Sequence, residues 1–182
     1  MPRKIEHTND SVRRVLSLVG AGAMAVSVFG GASGTADAAT GLRTLDFTYG
    51  NLTVFEDDEP YSWWDTRETF NYANWPDLHL AQGGPAATLV DHRCVGGEVR
   101  SELTMSASRP TSLPSGTIRA TVTLKLYEGT SCSTQDLEDQ RTVVVDVAPG
   151  QSRNVSISLE NDEWGGGDWA YLDRLTFQND AG

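Results

Sequence analysis

The chain has 182 residues, with 14 basic and 25 acidic side chains, a formal net charge of −11 and only two cysteines. Nucleic acid and anionic lipid are held by clustered Lys and Arg, so this composition excludes both as partners. It favours solubility and draws cations.

Residues 1–39 read as an export leader. Arg3, Lys4, Arg13 and Arg14 form a basic start, and Val15 to Gly30 carries no charge. The small-residue stretch that follows ends in Ala36-Asp37-Ala38 and Asp37-Ala38-Ala39, either of which fits a signal-peptidase cut. A membrane anchor is the weaker reading, because the apolar run is short for a span and is broken by Gly20, Gly22 and Gly30. Arg13-Arg14 resembles a twin-arginine export signal, although Ser17 departs from that pattern. The Ala and Gly richness resembles the leaders of Gram-positive bacteria, particularly actinobacteria. The expectation is a secreted, extracellular protein that is not integral to a membrane once cut. Removing 39 residues from 182 leaves 143 (residues 40–182), enough for one domain with a real core and too few for two. The leader holds four of the 14 basic and three of the 25 acidic residues. The mature part therefore carries 10 and 22, a net charge of −12.

Leu45, Phe47 and Tyr49 alternate as a strand, and Gly50-Asn51 is predicted to turn it into a second strand at Leu52 to Phe55. Residues 57–88 mix aromatics, acids, Pro76, Gly83-Gly84 and Pro85, and read as a long irregular excursion with at most one short strand. Period-two alternation then marks strands at 97–105, 117–127, 141–147 and 153–160, with a turn at Pro149-Gly150. A last strand at 168–177 slips phase near Asp173, as a β-bulge would make it do. The fold class that follows is all-β, an antiparallel two-sheet β-sandwich of six to eight strands. Its core is expected to hold Ile118, Val122, Leu124, Leu126, Val143, Val145, Val155, Ile157, Leu159 and Trp169.

Strand direction reverses at each connection. This places Cys94, just before the 97–105 strand, at the same end as loop 128–140, which holds Cys132. A disulfide is predicted between them; it would close 37 intervening residues and contribute about 3–4 kcal/mol. The same parity brings loop 128–140 and residues 161–168 together at one acidic end. Glu128, Asp136, Glu138, Asp139, Asp162, Glu163 and Asp168 are there the candidate metal ligands, with calcium the natural bridging ion. A plainly solvated acidic surface is the competing reading.

A second acidic run, Glu56-Asp57-Asp58-Glu59, is followed by Tyr61, Trp63 and Trp64, and Trp164 lies in the other acidic loop. Rings beside carboxylates suit sugars, because a ring stacks on the apolar face of a pyranose and an acid accepts from its hydroxyls. Tyr61, Trp63, Trp64 and Trp164 are therefore the candidate ligand-binding residues. The functional expectation is a non-catalytic binding module for an extracellular glycan or a cell-envelope component. Two alternatives stand beside it. One is an inhibitor of a secreted enzyme presenting loop 108–116, stiffened by Arg109-Pro110 and Leu113-Pro114. The other is a small hydrolase, for which the mature chain offers only His79 and His92 as histidine bases. A shallow aromatic strip would favour glycan binding, a protruding stiff loop inhibition, and a deep cleft with two facing carboxylates hydrolysis.

Overall fold

Nine strands form among the residues that the computed structural model describes, which are 41–57, 65–161 and 167–181. They are β1 (Arg43–Glu56), β2 (Thr66–Asn71), β3 (Leu78–Leu80), β4 (Ala87–Val95), β5 (Val99–Ser108), β6 (Ile118–Tyr127), β7 (Leu137–Val147), β8 (Ser152–Glu160) and β9 (Trp169–Ala181). Among the described residues no helix is long and apolar enough to cross a membrane. One sheet runs β2-β1-β9-β8, with β3 pairing the start of β1. The other runs β4-β5-β6-β7, and all ladders within both are antiparallel.

The two inner faces meet in one core. On β6, Ile118, Ala120, Val122, Leu124 and Leu126 point inward, and Leu103 and Met105 on β5 do the same. Leu45, Leu52 and Val54 from β1, with Leu172, Leu175 and Phe177 from β9, close the core from the other sheet. Of the expected core residues, Val143 and Val145 are only half-buried, because β7 is an edge strand. Trp169 is not in the core. It sits in the phase opposite to Ala170 and Leu172 and lies on the outer face, half-buried.

Gly50-Asn51 does not turn the chain. β1 continues through it, and its register against β9 shifts twice, between Phe47 and Tyr49 and between Tyr49 and Asn51. The first shift inserts a residue into β1 and the second inserts one into β9, so pairing resumes in register. On β9 the inserted residue is beside Asp173, where the bulge was expected, and Arg174 there has φ 44°. Gly50 is required at this point, since a Cβ on it would come within 2.8 Å of Leu175 Cδ1.

The excursion at 57–88 is more regular than its composition indicates. It contains β2, β3 and the start of β4. Loop 128–140 is shorter than expected, because β7 starts at Leu137 and Glu138 and Asp139 belong to that strand. Loop 108–116 does not protrude freely. Arg109 at its start is buried; it donates to the Gly41 carbonyl and, at 3.0 Å, to the Leu80 carbonyl. Gly83 N donates to Arg109 O at 2.8 Å, which fastens the other side. Cys94 and Cys132 are disulfide-bonded, with Cα atoms 5.7 Å apart, as parity required.

Candidate functional site

The acidic end is divided. Glu128, Asp136 and Glu138 surround a small hollow of about 200 Å³ with Gly129. Glu128 also accepts from Asn161 Nδ2, and its backbone N–H donates to Asp136 O at 3.2 Å. Asp139 lines a separate hollow beside Arg141, Ser158 and Glu160. Asp168 is buried and turned toward β1, where its Oδ1 accepts from the Asp57 N–H at 2.8 Å. Asp162 and Glu163 lie outside the described residues, as do Tyr61, Trp63, Trp64 and Trp164. Among the described residues no three His, Cys, Asp or Glu side chains form a group that could hold a metal ion.

The outer face of the four-stranded sheet satisfies itself. Lys125 Nζ donates to Glu102 Oε1 at 2.8 Å; that bond, with His92 and Arg100 close by, holds the Glu102 carboxyl below the usual carboxylate range despite its burial. Arg119 grips Asp146 through two hydrogen bonds of 2.8 Å. Thr123 and Thr142 hydroxyls meet at 2.9 Å, and Arg100 covers the Tyr127 ring at 4.0 Å. Val90 and Val144 remain exposed on the same face.

The outer face of the five-stranded sheet is different in kind. Four aromatic residues occupy the polar phase of its two central strands: Tyr49 and Phe55 on β1, Trp169 and Tyr171 on β9. Phe55 and Trp169 are cross-strand neighbours whose rings stack 5.4 Å apart at 19°, and Arg67 from β2 lies 5.3 Å from the Trp169 ring. Tyr171 beside them is 40% exposed. Such a pair contributes about 0.5–1.5 kcal/mol beyond burial and holds its rings in place. A polar network continues along the strands. Asn71 Nδ2 donates to Asn51 Oδ1 at 3.0 Å, Asn51 Nδ2 to Tyr49 Oη at 2.8 Å, and Tyr49 Oη to Asp173 Oδ2 at 3.3 Å. The paired bulges put Arg174 over the Tyr49 ring, 4.9 Å from its centroid. A non-glycine residue at positive φ is uncommon, and strain of this kind gathers where side chains must be aimed. The result is a strip of rings, amides and one Asp–Arg pair, already hydrogen-bonded into position.

At its far end the strip reaches a hollow of about 630 Å³, lined by Leu42, Thr44, Asp46, Asp77, His79, Asp180 and Ala181. Antiparallel pairing sets Thr44 opposite both His79 and Asp180. Thr44 Oγ1 and His79 Nδ1 are 3.1 Å apart, and Gln178 Nε2 donates to Asp180 Oδ1 at 2.8 Å. Burial, a hydrogen bond to Asp180 and the charges of Asp77 and Asp180 push Asp46 up to about 6, against an opposing pull from His79. Asp46 thus stands among like charges, with Asp77 and Asp180 both disfavouring its ionised form.

Comparisons with family models, with curated proteins and with solved structures find no match to this chain. Sequence reasoning placed the ligand rings in the loops and did not single out Tyr49, Asn51, Phe55, Asn71, Tyr171, Asp173 or Arg174, nor the hollow. A usable signal was present: Trp169 and Tyr171 alternate with Ala170 and Leu172, so large rings occupy the phase expected to be polar.

Proposed function

We propose that this protein is a secreted, non-catalytic binding module that recognises an extracellular glycan through the outer face of its five-stranded sheet. The observation that carries the reading is the strip itself, with half-buried Phe55 and Trp169 and exposed Tyr171 beside the Asn71–Asn51–Tyr49–Asp173 network. Rings stack on pyranose faces, and fixed amides and carboxylates exchange hydrogen bonds with hydroxyls. Fastening of loop 108–116 by Arg109 counts against the inhibitor reading. The disulfide agrees with export to an oxidising compartment.

A glycan array followed by calorimetry on the best polysaccharide tests the reading. Trp169→Ala and Tyr171→Ala should each weaken binding at least tenfold with the melting temperature little changed. Retained affinity in both variants, or the absence of any glycan ligand, would refute it; capture of a proteinaceous envelope component in place of a glycan would replace it. Calcium is proposed for the acidic end on charge alone, and it should raise the melting temperature where magnesium does not. Equal effects of calcium, magnesium and matched sodium ionic strength would mean screening.

A further inference from the structure

We propose that the hollow bounded by Asp46, Asp77, His79 and Asp180 is a subsite for a protonated amine, and that the ligand of the strip is a glycan bearing free amino groups, such as a chain of deacetylated hexosamines. The inference rests on the glycan-binding reading and names the class of sugar.

Three carboxylates line the hollow and, among the described residues, no Lys or Arg does. The nearest cation on β1, Arg43, lies against Gly116, with its Nε and Nη2 3.5 Å from where a Cβ of that residue would be. Charge and shape both point to an organic cation. Asp46, Asp77 and Asp180 line one hollow, and carboxylates gathered in this way favour a cation among them. An ammonium supplies three donors to such acceptors. A bare metal ion fits less well, since calcium takes six to eight oxygens and one wall here is the carbon of Leu42 and Ala181. At about 630 Å³ the hollow has the size of sites that take small molecules, and it can seat a sugar ring with its amine. Thr44, itself buried, fixes the imidazole of His79 at the rim.

The aromatic strip of that reading lies on the same strand. From Phe55 through Asn51 and Tyr49 to Asp46 and Thr44, the outward side chains of β1 run along one face. Those eleven steps span about 36 Å at 3.3 Å per residue. A linear polymer stacked on the rings at one end therefore reaches the carboxylates at the other. The titratable groups facing Asp46 are Asp180 from β9 and Asp77 and His79 from the β3 segment.

Calorimetry at pH 6.5 on the intact mature protein provides the test, with three probes: a β-1,4-linked glucosamine hexamer, its fully N-acetylated counterpart and cellohexaose. The glucosamine hexamer should bind at least tenfold more tightly than the other two. The double variant Asp77→Asn/Asp180→Asn should abolish that advantage and leave the affinity for the acetylated hexamer unchanged. Glu98→Gln/Asp136→Asn, which removes the same charge away from this face, should preserve it. Asp77 precedes β3 and makes no ladder pairing, so Asp77→Asn alone carries the comparison if the double variant does not fold. Equal binding of all three oligomers overturns the amine subsite and leaves the glycan reading standing. Loss of the advantage in the Glu98→Gln/Asp136→Asn control likewise overturns it, because long-range attraction would then suffice. Binding of none overturns both.

Discussion

The substitution Asp46→Asn asks whether the hollow holds its carboxyl against ionisation. In the folded protein Asp46 titrates at about 6, against 3.8 for the ordinary group; burial is the main cause, followed by the contact with Asp180. Between those two values the native state binds more protons than the unfolded state, so stability falls as pH rises through the window from about 4 to about 6. The stabilising contribution of the protonated form is complete below the unfolded value and is lost above the folded one. Carried in full, the displacement corresponds to about 3 kcal/mol. Asp46 lies at the rim of an open hollow, where water and salt screen it, and about 1 kcal/mol is the expected size. Asn mimics the protonated acid and can still donate to Asp180. Urea unfolding of both proteins at pH 4, 5, 6 and 7, followed by tryptophan fluorescence, isolates the effect in the difference curve. Asp46→Asn should match the parent at pH 4 and exceed it by about 1 kcal/mol at pH 7. A flat difference, or an Asn variant less stable at pH 7 than at pH 4 relative to the parent, would refute the placement of the group.

Three further outcomes are expected. Leu124→Ala should cost about 2–5 kcal/mol by opening a cavity in the middle of the core, whereas Val143→Ala on the half-buried edge should cost less; chemical denaturation of both variants reads the ordering. Gly96→Ala should destabilise by more than about 1 kcal/mol, since Gly96 has φ 62° and its Cβ would fall on the buried Glu56 carboxylate, and a melting temperature within error of the parent would contradict this. Replacing Cys94 and Cys132 together by Ser should cost about 3–4 kcal/mol, and a thiol assay on the denatured, unreduced parent should find none.

The sandwich was legible wherever one face of a strand is apolar and the other wet. β6 alternates without interruption and β9 even betrays its bulge, because burial imposes a period of two on any half-buried strand. β4 was hidden for a physical reason. Its inward positions include Asp91 and Arg93, which pair at 2.6 Å, with Tyr72 Oη donating to the same Asp91 oxygen at 2.6 Å and Arg93 lying 4.6 Å from the Phe70 ring. Its outward Val90 is 51% exposed. Inward charges of this kind protect an edge strand from pairing with other chains, and they erase its hydrophobic signature. Gly50-Asn51 misled in the opposite direction. The pair has turn chemistry, yet here Gly50 clears space for Leu175 within a continuous strand. The hollow was not legible, because Asp46, Asp77, His79 and Asp180 come together only through the pairing of β1 with both β3 and β9.

That β9 lies between β1 and β8 also governs how the domain comes to be made. Its pairing with β1 joins residues more than a hundred positions apart, as at Asn51 and Asp173, so the five-stranded sheet closes only once β9 is in place, and β1 and β8 present open edges until then. Removing Trp169–Ala181 thus takes out an interior strand, and protein lacking it should collect as aggregates.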